Sequence, residues 1–261
     1  MNAPRLVLIT LTSASLLSLA ARADSPAPQK MKPEETEVWT PVPPIVSAPA
    51  GKAPSDAVVL FDGTSLASWE PVKKDSKGWV IEDGALVVVP KSGYLQTKAA
   101  FGDIQLHIEF REPSVVKGKG QGRGNSGVFF MGLYELQVLD SYDNPTYVNG
   151  QAGSFYKQHA PLVNASRAPG EWQSYDAVFF APRFAADGSV ASPAHATVFH
   201  NGVLVQYDVV LRGPTEYIGI PHYAPHAAKL PLQLQDHGDR VAFRNIWVRE
   251  IALPSPTKAT P

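Results

Sequence analysis

The chain has 261 residues, enough for one large β domain, and its 24 acidic and 23 basic residues nearly cancel. No basic run of the kind that tracks a phosphate backbone is present, which argues against a nucleic-acid partner. The lack of any cysteine excludes a disulfide framework and a lipid-modified N-terminal cysteine, so stability must come from burial and backbone pairing.

From the N-terminus, Arg5, an apolar run over residues 6–19 and Ala21-Arg22-Ala23 have the three zones of a secretory signal peptide, with cleavage expected after Ala23. The run is shorter than the roughly 20 residues that span a bilayer. It is also broken by Thr10, Thr12, Ser13 and Ser15, so no stable membrane insertion is expected after cleavage. The expected location is periplasmic or extracellular. Residues 24–55 are rich in proline and alanine, without a hydrophobic period, and read as a disordered, solvated leader.

Residues 56–252 hold short β-branched and aromatic runs separated by glycine turn signals, the pattern of an antiparallel β-sandwich in a single domain. Trp79-Val80-Ile81 and Leu86-Val87-Val88-Val89 flank Asp83-Gly84, and Thr197-Val198-Phe199 and Val203-Leu204-Val205 flank Asn201-Gly202, so two tight hairpins are predicted. Further strands are predicted at 104–111, 128–131, 135–139, 175–180, 230–235 and 241–251. Between them, residues 141–170 form a long loop of the length that often serves as a functional lid. Residues 253–261 read as a disordered tail.

Residues 104–111 alternate strictly, with Gln105, His107, Glu109 and Arg111 on one face. Glu135 and Gln137 share a face of the next polar strand, and Gln233, Gln235 and His237 share a face near the C-terminus. For the first strand alone, solvent exposure is the ordinary meaning. Three strands bearing Glu, Gln and His, with Asn125 set between Gly124 and Gly127, form instead a surface of hydrogen-bonding groups suited to a hydroxyl-rich sugar.

Several ordered motifs then carry a family resemblance. They are Leu60-Phe61-Asp62-Gly63-Thr64-Ser65-Leu66 with Trp69, Asn125-Ser126-Gly127-Val128-Phe129, Tyr134-Glu135-Leu136-Gln137-Val138-Leu139-Asp140, Pro169-Gly170-Glu171-Trp172-Gln173-Ser174-Tyr175-Asp176, Asn201-Gly202-Val203, and Leu234-Gln235-Asp236-His237-Gly238 through Phe243-Arg244-Asn245-Ile246-Trp247. Together, over residues 56–252, they resemble the 3-keto-disaccharide hydrolase family, whose members are described as 3-keto-glucoside lyase/hydratases. The resemblance implies a concanavalin-like jelly roll of two antiparallel sheets, bacterial export and a 3-keto-glycoside substrate.

The implied chemistry sets the candidates. A ketone at C3 acidifies the C2 proton; its removal expels the group at C1, and hydration of the enone completes a net hydrolysis. Such an enzyme needs a base near C2, an acid or electrostatic group near the leaving oxygen, and donors aimed at the enolate. Glu135 is the first acid/base candidate, His237 the second and Glu109 the third. Asn125, Gln137, Asp140 and Gln235 are expected to orient substrate, and Tyr156 and His159 to close over the sugar from the long loop.

No cofactor is evident, and a divalent cation lacks support. His222 and His226 are four apart, but Pro221 and Pro225 break the helix that would align them. Asp140, Asp143 and Asn144 could hold calcium, although an acidic turn is the commoner meaning. A lectin-like binding domain is the alternative function, since it needs the polar surface but no group with a displaced pKa. An ordinary retaining glucanase ranks last, because the alternating partner of Glu135 is Gln137 rather than a second carboxylate.

Overall fold

Asp83-Gly84 and Asn201-Gly202 both form tight turns in the computed structural model, which describes residues 31–252. All four residues have positive φ (51° and 72°, 52° and 77°), as a primed hairpin turn requires. The chain divides into two units, residues 1–45 and 46–261. In the first, the described residues 31–45 are exposed and carry one short 3-10 turn, Pro33–Thr36. The expected signal peptide, the leader up to residue 30 and the tail lie outside the described residues.

The second unit is built from strands. In chain order they are β1 (Val58–Phe61), β2 (Trp69–Pro71), β3 (Val80–Glu82), β4 (Ala85–Val87), β5 (Leu95–Phe101), β6 (Ile104–Arg111), β7 (Ser126–Phe130), β8 (Tyr134–Val138), β9 (Gln173–Phe180), β10 (Arg183–Phe184), β11 (Val190–Ser192), β12 (His195–His200), β13 (Val203–Val210), β14 (Leu230–Leu234) and β15 (Ala242–Glu250). An eight-stranded sheet runs β13-β12-β9-β6-β15-β4-β3, with β1 also on β15. A five-stranded sheet runs β2-β5-β14-β7-β8, and β10 pairs with β11 separately. The pairings are antiparallel, so the fold is the expected all-β sandwich.

Period-two alternation builds the core between the sheets. From the larger sheet come Ile104, Leu106, Ile108, Phe110, Tyr175 and Phe179, and from the smaller Val128, Phe130, Tyr134, Leu136, Leu232 and Leu234, all essentially buried. Phe130 of β7 stacks on Phe179 of β9 with centroids 4.7 Å apart, which locks one sheet over the other. Truncating either ring to alanine would cost about 3–5 kcal/mol by leaving a cavity. The Tyr175 hydroxyl crosses the core and donates to the Gln137 carbonyl at 2.7 Å, so β8 is held from behind.

The alternation placed β6 correctly as a strand but could not say in which sheet it lies. β6 sits in the eight-stranded sheet, and its polar residues face outward, away from the smaller sheet. That outer face is a network of its own. His107 Nδ1 is 2.6 Å from Asp176 and its ring stacks on Trp247, while Arg111 and Arg244 lie over the Trp172 ring at 4.6 and 4.0 Å. Strands β1, β2, β5, β10 and β11 were not anticipated. β5 reads Leu-Gln-Thr-Lys-Ala-Ala-Phe, with one β-branched residue and no clean alternation, and earns its strand state from pairing with β2 and β14.

Candidate active site

On the five-stranded sheet, residues that do not point into the core face the other way and form the floor of a cleft. Register sets their neighbours: Phe129 lies opposite Glu135, Gly127 opposite Gln137, and Gln233 opposite Phe129. Gly127 is required here by close approach. A Cβ at this position would stand 2.5 Å from Glu135 Oε1 and 3.0 Å from the Phe129 ring, so the Glu135 carboxyl occupies the space that any other residue would fill.

The long loop builds the next wall by adding itself to the edge of β8. The Gln137 amide donates to the Ser154 carbonyl at 2.9 Å, the Gly153 amide to the Gln137 carbonyl at 3.1 Å, and the Tyr156 amide to the Glu135 carbonyl at 3.1 Å. This pairing brings the Tyr156 side chain over the cleft, where its hydroxyl meets that of Tyr147 at 2.6 Å. Thr215 closes another side: its Oγ1 accepts from the Glu135 amide at 2.9 Å, and its own amide donates to the Leu133 carbonyl. The resulting cleft has a volume of about 740 Å³, with Tyr94, Gln121, Asn125, Gln235, His237 and Tyr217 completing its lining.

Glu135 is the group at odds with its surroundings. It is 5% exposed, and its carboxyl oxygens have no hydrogen-bond or ion-pair partner among the described residues. Burial without compensation pushes its pKa up to about 8. Near neutral pH the group is therefore mostly protonated, and once ionised it is a far stronger base than a solvated carboxylate.

Gln137 and Gln235 flank this carboxyl with unmet hydrogen-bonding capacity. Gln137 Nε2 donates to Gln121 Oε1 at 3.1 Å and Gln235 Nε2 to the Tyr94 hydroxyl at 2.8 Å, yet the Oε1 atoms of both glutamines are buried without a partner among the described residues. An unpaired buried acceptor costs about 1–3 kcal/mol, and a ligand hydroxyl entering the cleft can supply the missing donor. Asn125 is held by its amide donating to Asp239 at 2.9 Å and its Nδ2 donating to the Gln121 carbonyl at 2.7 Å. His237 is exposed at the cleft, with no side-chain hydrogen bond to a described residue.

Glu135, His237, Asn125, Gln137, Tyr156 and Gln235 thus line one cleft, Glu135, Gln137, Gln235 and His237 from or beside the polar strands and Tyr156 from the long loop. Three expected site residues do not join them. Glu109 lies on the outward face of the other sheet, where burial opposes its ionisation but hydrogen bonds from Asn245 and Arg244 outweigh it and hold the carboxyl below its usual range. The Asp140 carboxylate is clamped by Arg123, with Nε to Oδ2 at 2.6 Å and Nη2 to Oδ1 at 3.2 Å. His159 turns away and bonds the Val210 carbonyl through Nε2 at 2.8 Å. Sequence alternation reports a face and not its sheet, and it says nothing about a partner supplied from another segment.

Tyr94, Gln121, Phe129, Tyr147, Thr215 and Tyr217 were missed. Phe129 sits in an unbroken apolar run, Val128-Phe129-Phe130, so nothing local separates its cleft-facing ring from its core-facing neighbours. Thr215 and Tyr217 come from a loop without period. Among the described residues, no three histidine, cysteine or acidic side chains converge as metal ligands. Asn144 Nδ2 donates to the Asp140 carbonyl at 2.6 Å and its Oδ1 accepts from the Gly120 amide, so both residues help to shape the turn.

Residues 56–249 match the sequence pattern of the 3-keto-alpha-glucoside-1,2-lyase-like domain. A 3-keto-disaccharide hydrolase of Bacteroides thetaiotaomicron is 23% identical, with 74% of this chain and 77% of that protein covered. A crystal structure of a candidate glycosyl hydrolase from Parabacteroides distasonis is 47% identical, with a TM-score of 0.82 over 85% of this chain and 97% of that one. A second P. distasonis structure, 20% identical with a TM-score of 0.55, covers 76% of this chain and 94% of its own, and shares the fold.

Proposed function

Because the chain belongs to the 3-keto-alpha-glucoside-1,2-lyase-like family of carbohydrate-active, hydrolase-like enzymes, we propose that it is an exported enzyme that cleaves 3-keto-glycosides. Glu135 takes the C2 proton that the neighbouring ketone acidifies, the enolate expels the group at C1, and water then adds at C1. Gln137, Gln235 and Asn125 hold sugar hydroxyls, and His237, exposed at the cleft, is placed to pass protons between the site and solvent.

The observation that carries this reading is the Glu135 carboxyl: 5% exposed, unpartnered and raised to about 8, on the floor of a polar cleft. A binding domain has no use for such a group, because burying an uncompensated carboxyl only weakens the fold. The test is to incubate the purified protein with a 3-keto-glucoside and with its unoxidised parent and to follow aglycone release. Cleavage should require the ketone, and Glu135→Gln should lower the rate by about two to four orders of magnitude. Equal turnover of both substrates, or wild-type rates for the variant, would overturn the assignment. Export is tested by the mass of the secreted form, expected to begin at Asp24; a form retaining Met1 in a membrane fraction contradicts it.

A further inference from the structure

We propose that Tyr156 is the acid that protonates the departing aglycone oxygen, with Tyr147 as its positioning residue. The inference rests on the proposed elimination and adds the group that this chemistry leaves unassigned. Glu135, on accepting the C2 proton, cannot also stabilise the charge that leaves from C1 without a second donor, because the two sites belong to adjacent carbons. Tyr156 is built into the same piece of backbone as Glu135: its amide donates to the Glu135 carbonyl, and both side chains line the cleft.

The Tyr156 hydroxyl is 2.6 Å from that of Tyr147, so one hydroxyl can donate to the substrate while receiving a hydrogen bond from the other. Tyr147 is not free to drift. Its ring packs so closely on Gly150 that a Cβ there would collide with it, and the Gly150 carbonyl is itself held by Gln121 Nε2 at 2.8 Å. Burial first, and then the bond with Tyr147, raise the Tyr156 pKa above its ordinary value, so the phenol carries its proton at neutral pH.

The proton balance closes. Glu135 carboxylate removes the C2 proton to give the enolate; the C1–O bond breaks, its electron pair leaves with the aglycone oxygen, the C1=C2 bond forms and the C3 carbonyl returns. Tyr156 gives its proton to the aglycone and becomes a phenolate that the Tyr147 hydroxyl holds by hydrogen bonding. For hydration, the phenolate takes a proton from water, hydroxide adds at C1, and Glu135 returns its proton to C2. Both groups end as they began.

An acid matters only when the leaving group is poor, and this decides the test. Wild type, Tyr156→Phe and Tyr147→Phe are compared on the 3-keto-glucosides of 4-nitrophenol and of methanol, with circular dichroism to confirm folding. For Tyr156→Phe, kcat/KM on the methyl glycoside should fall about 100-fold or more, and on the nitrophenyl glycoside less than about tenfold. Tyr147→Phe should show the same asymmetry at about tenfold on the methyl substrate. Equal losses on both substrates, a rise in KM alone, or loss of fold in both variants would overturn the acid role. Failure of the unsubstituted protein to cleave either substrate would instead overturn the function proposed above.

Discussion

Gly127→Ala tests whether the Glu135 carboxyl works where the structure holds it. The added methyl would stand 2.5 Å from Glu135 Oε1, against 3.4 Å for an ordinary contact, so about 0.9 Å of displacement must be absorbed. The backbone is pinned by pairing on both sides, whereas Oε1 is the far end of a side chain with rotatable bonds, so the carboxyl moves first. A misplacement of about 1 Å costs about 100-fold in rate when geometry is at stake. The expected result is therefore a fall in kcat of about that size with KM little changed. The thermal midpoint should stay within about 4 °C, the shift that 1 kcal/mol produces in a domain of this size. The assay is steady-state cleavage of a 3-keto-glucoside, repeated in a Glu135→Gln background, where the alanine should add almost nothing because its target is gone. A folded Gly127→Ala protein with wild-type kcat, or a full additional loss in the Glu135→Gln background, would refute the reasoning.

With Glu135 as the base and its pKa near 8, kcat/KM should rise about tenfold per pH unit below pH 8 and flatten above it; a plateau already reached at pH 6 contradicts the assignment. Glu112 offers a test away from the cleft: it is 1% exposed, burial raises it from 4.5 to about 8, and Gln173 Nε2 donates to both its oxygens at 3.1 and 2.9 Å in partial opposition. Since its folded pKa lies above the unfolded value, the unfolded chain releases a proton that the folded one keeps, and stability falls as pH rises from about 4.5 to about 8. Glu112→Gln should flatten this fall by about 1.4 kcal/mol per pH unit in denaturant titrations; parallel curves for variant and wild type would count against it.

The sandwich was legible wherever local chemistry and pairing agree. Ile104–Arg111 alternates without a fault and is a strand over the same residues, and both glycine dipeptides mark their turns. β14 is instructive because Pro231 lies inside it. The proline is tolerated because β7 pairs only with Gln233 and Leu234, leaving position 231 without a ladder partner on that side. The cleft was half legible. Glu135, Gln137 and Gln235 announce themselves as polar residues in alternating strands, but the walls come from loops whose positions follow from tertiary contacts alone. Tyr147 and Thr215 carry no periodic signal, and Glu109, the third acid/base candidate, stayed in contention because alternation alone does not reveal that it lies on the other sheet from Glu135.

The segment from Gly153 to Tyr156 has a second consequence through its bonds to β8. Without it, β8 would be the open edge of the five-stranded sheet, with unpaired amides and carbonyls available to any passing strand. The loop that brings Tyr156 to the cleft therefore also guards the sheet against strand addition from another molecule. Variants that undock this loop are expected to lose solubility along with the cleft, and the Gln137 and Tyr156 amides, which the docked loop shields, are the hydrogen-exchange reporters of that event.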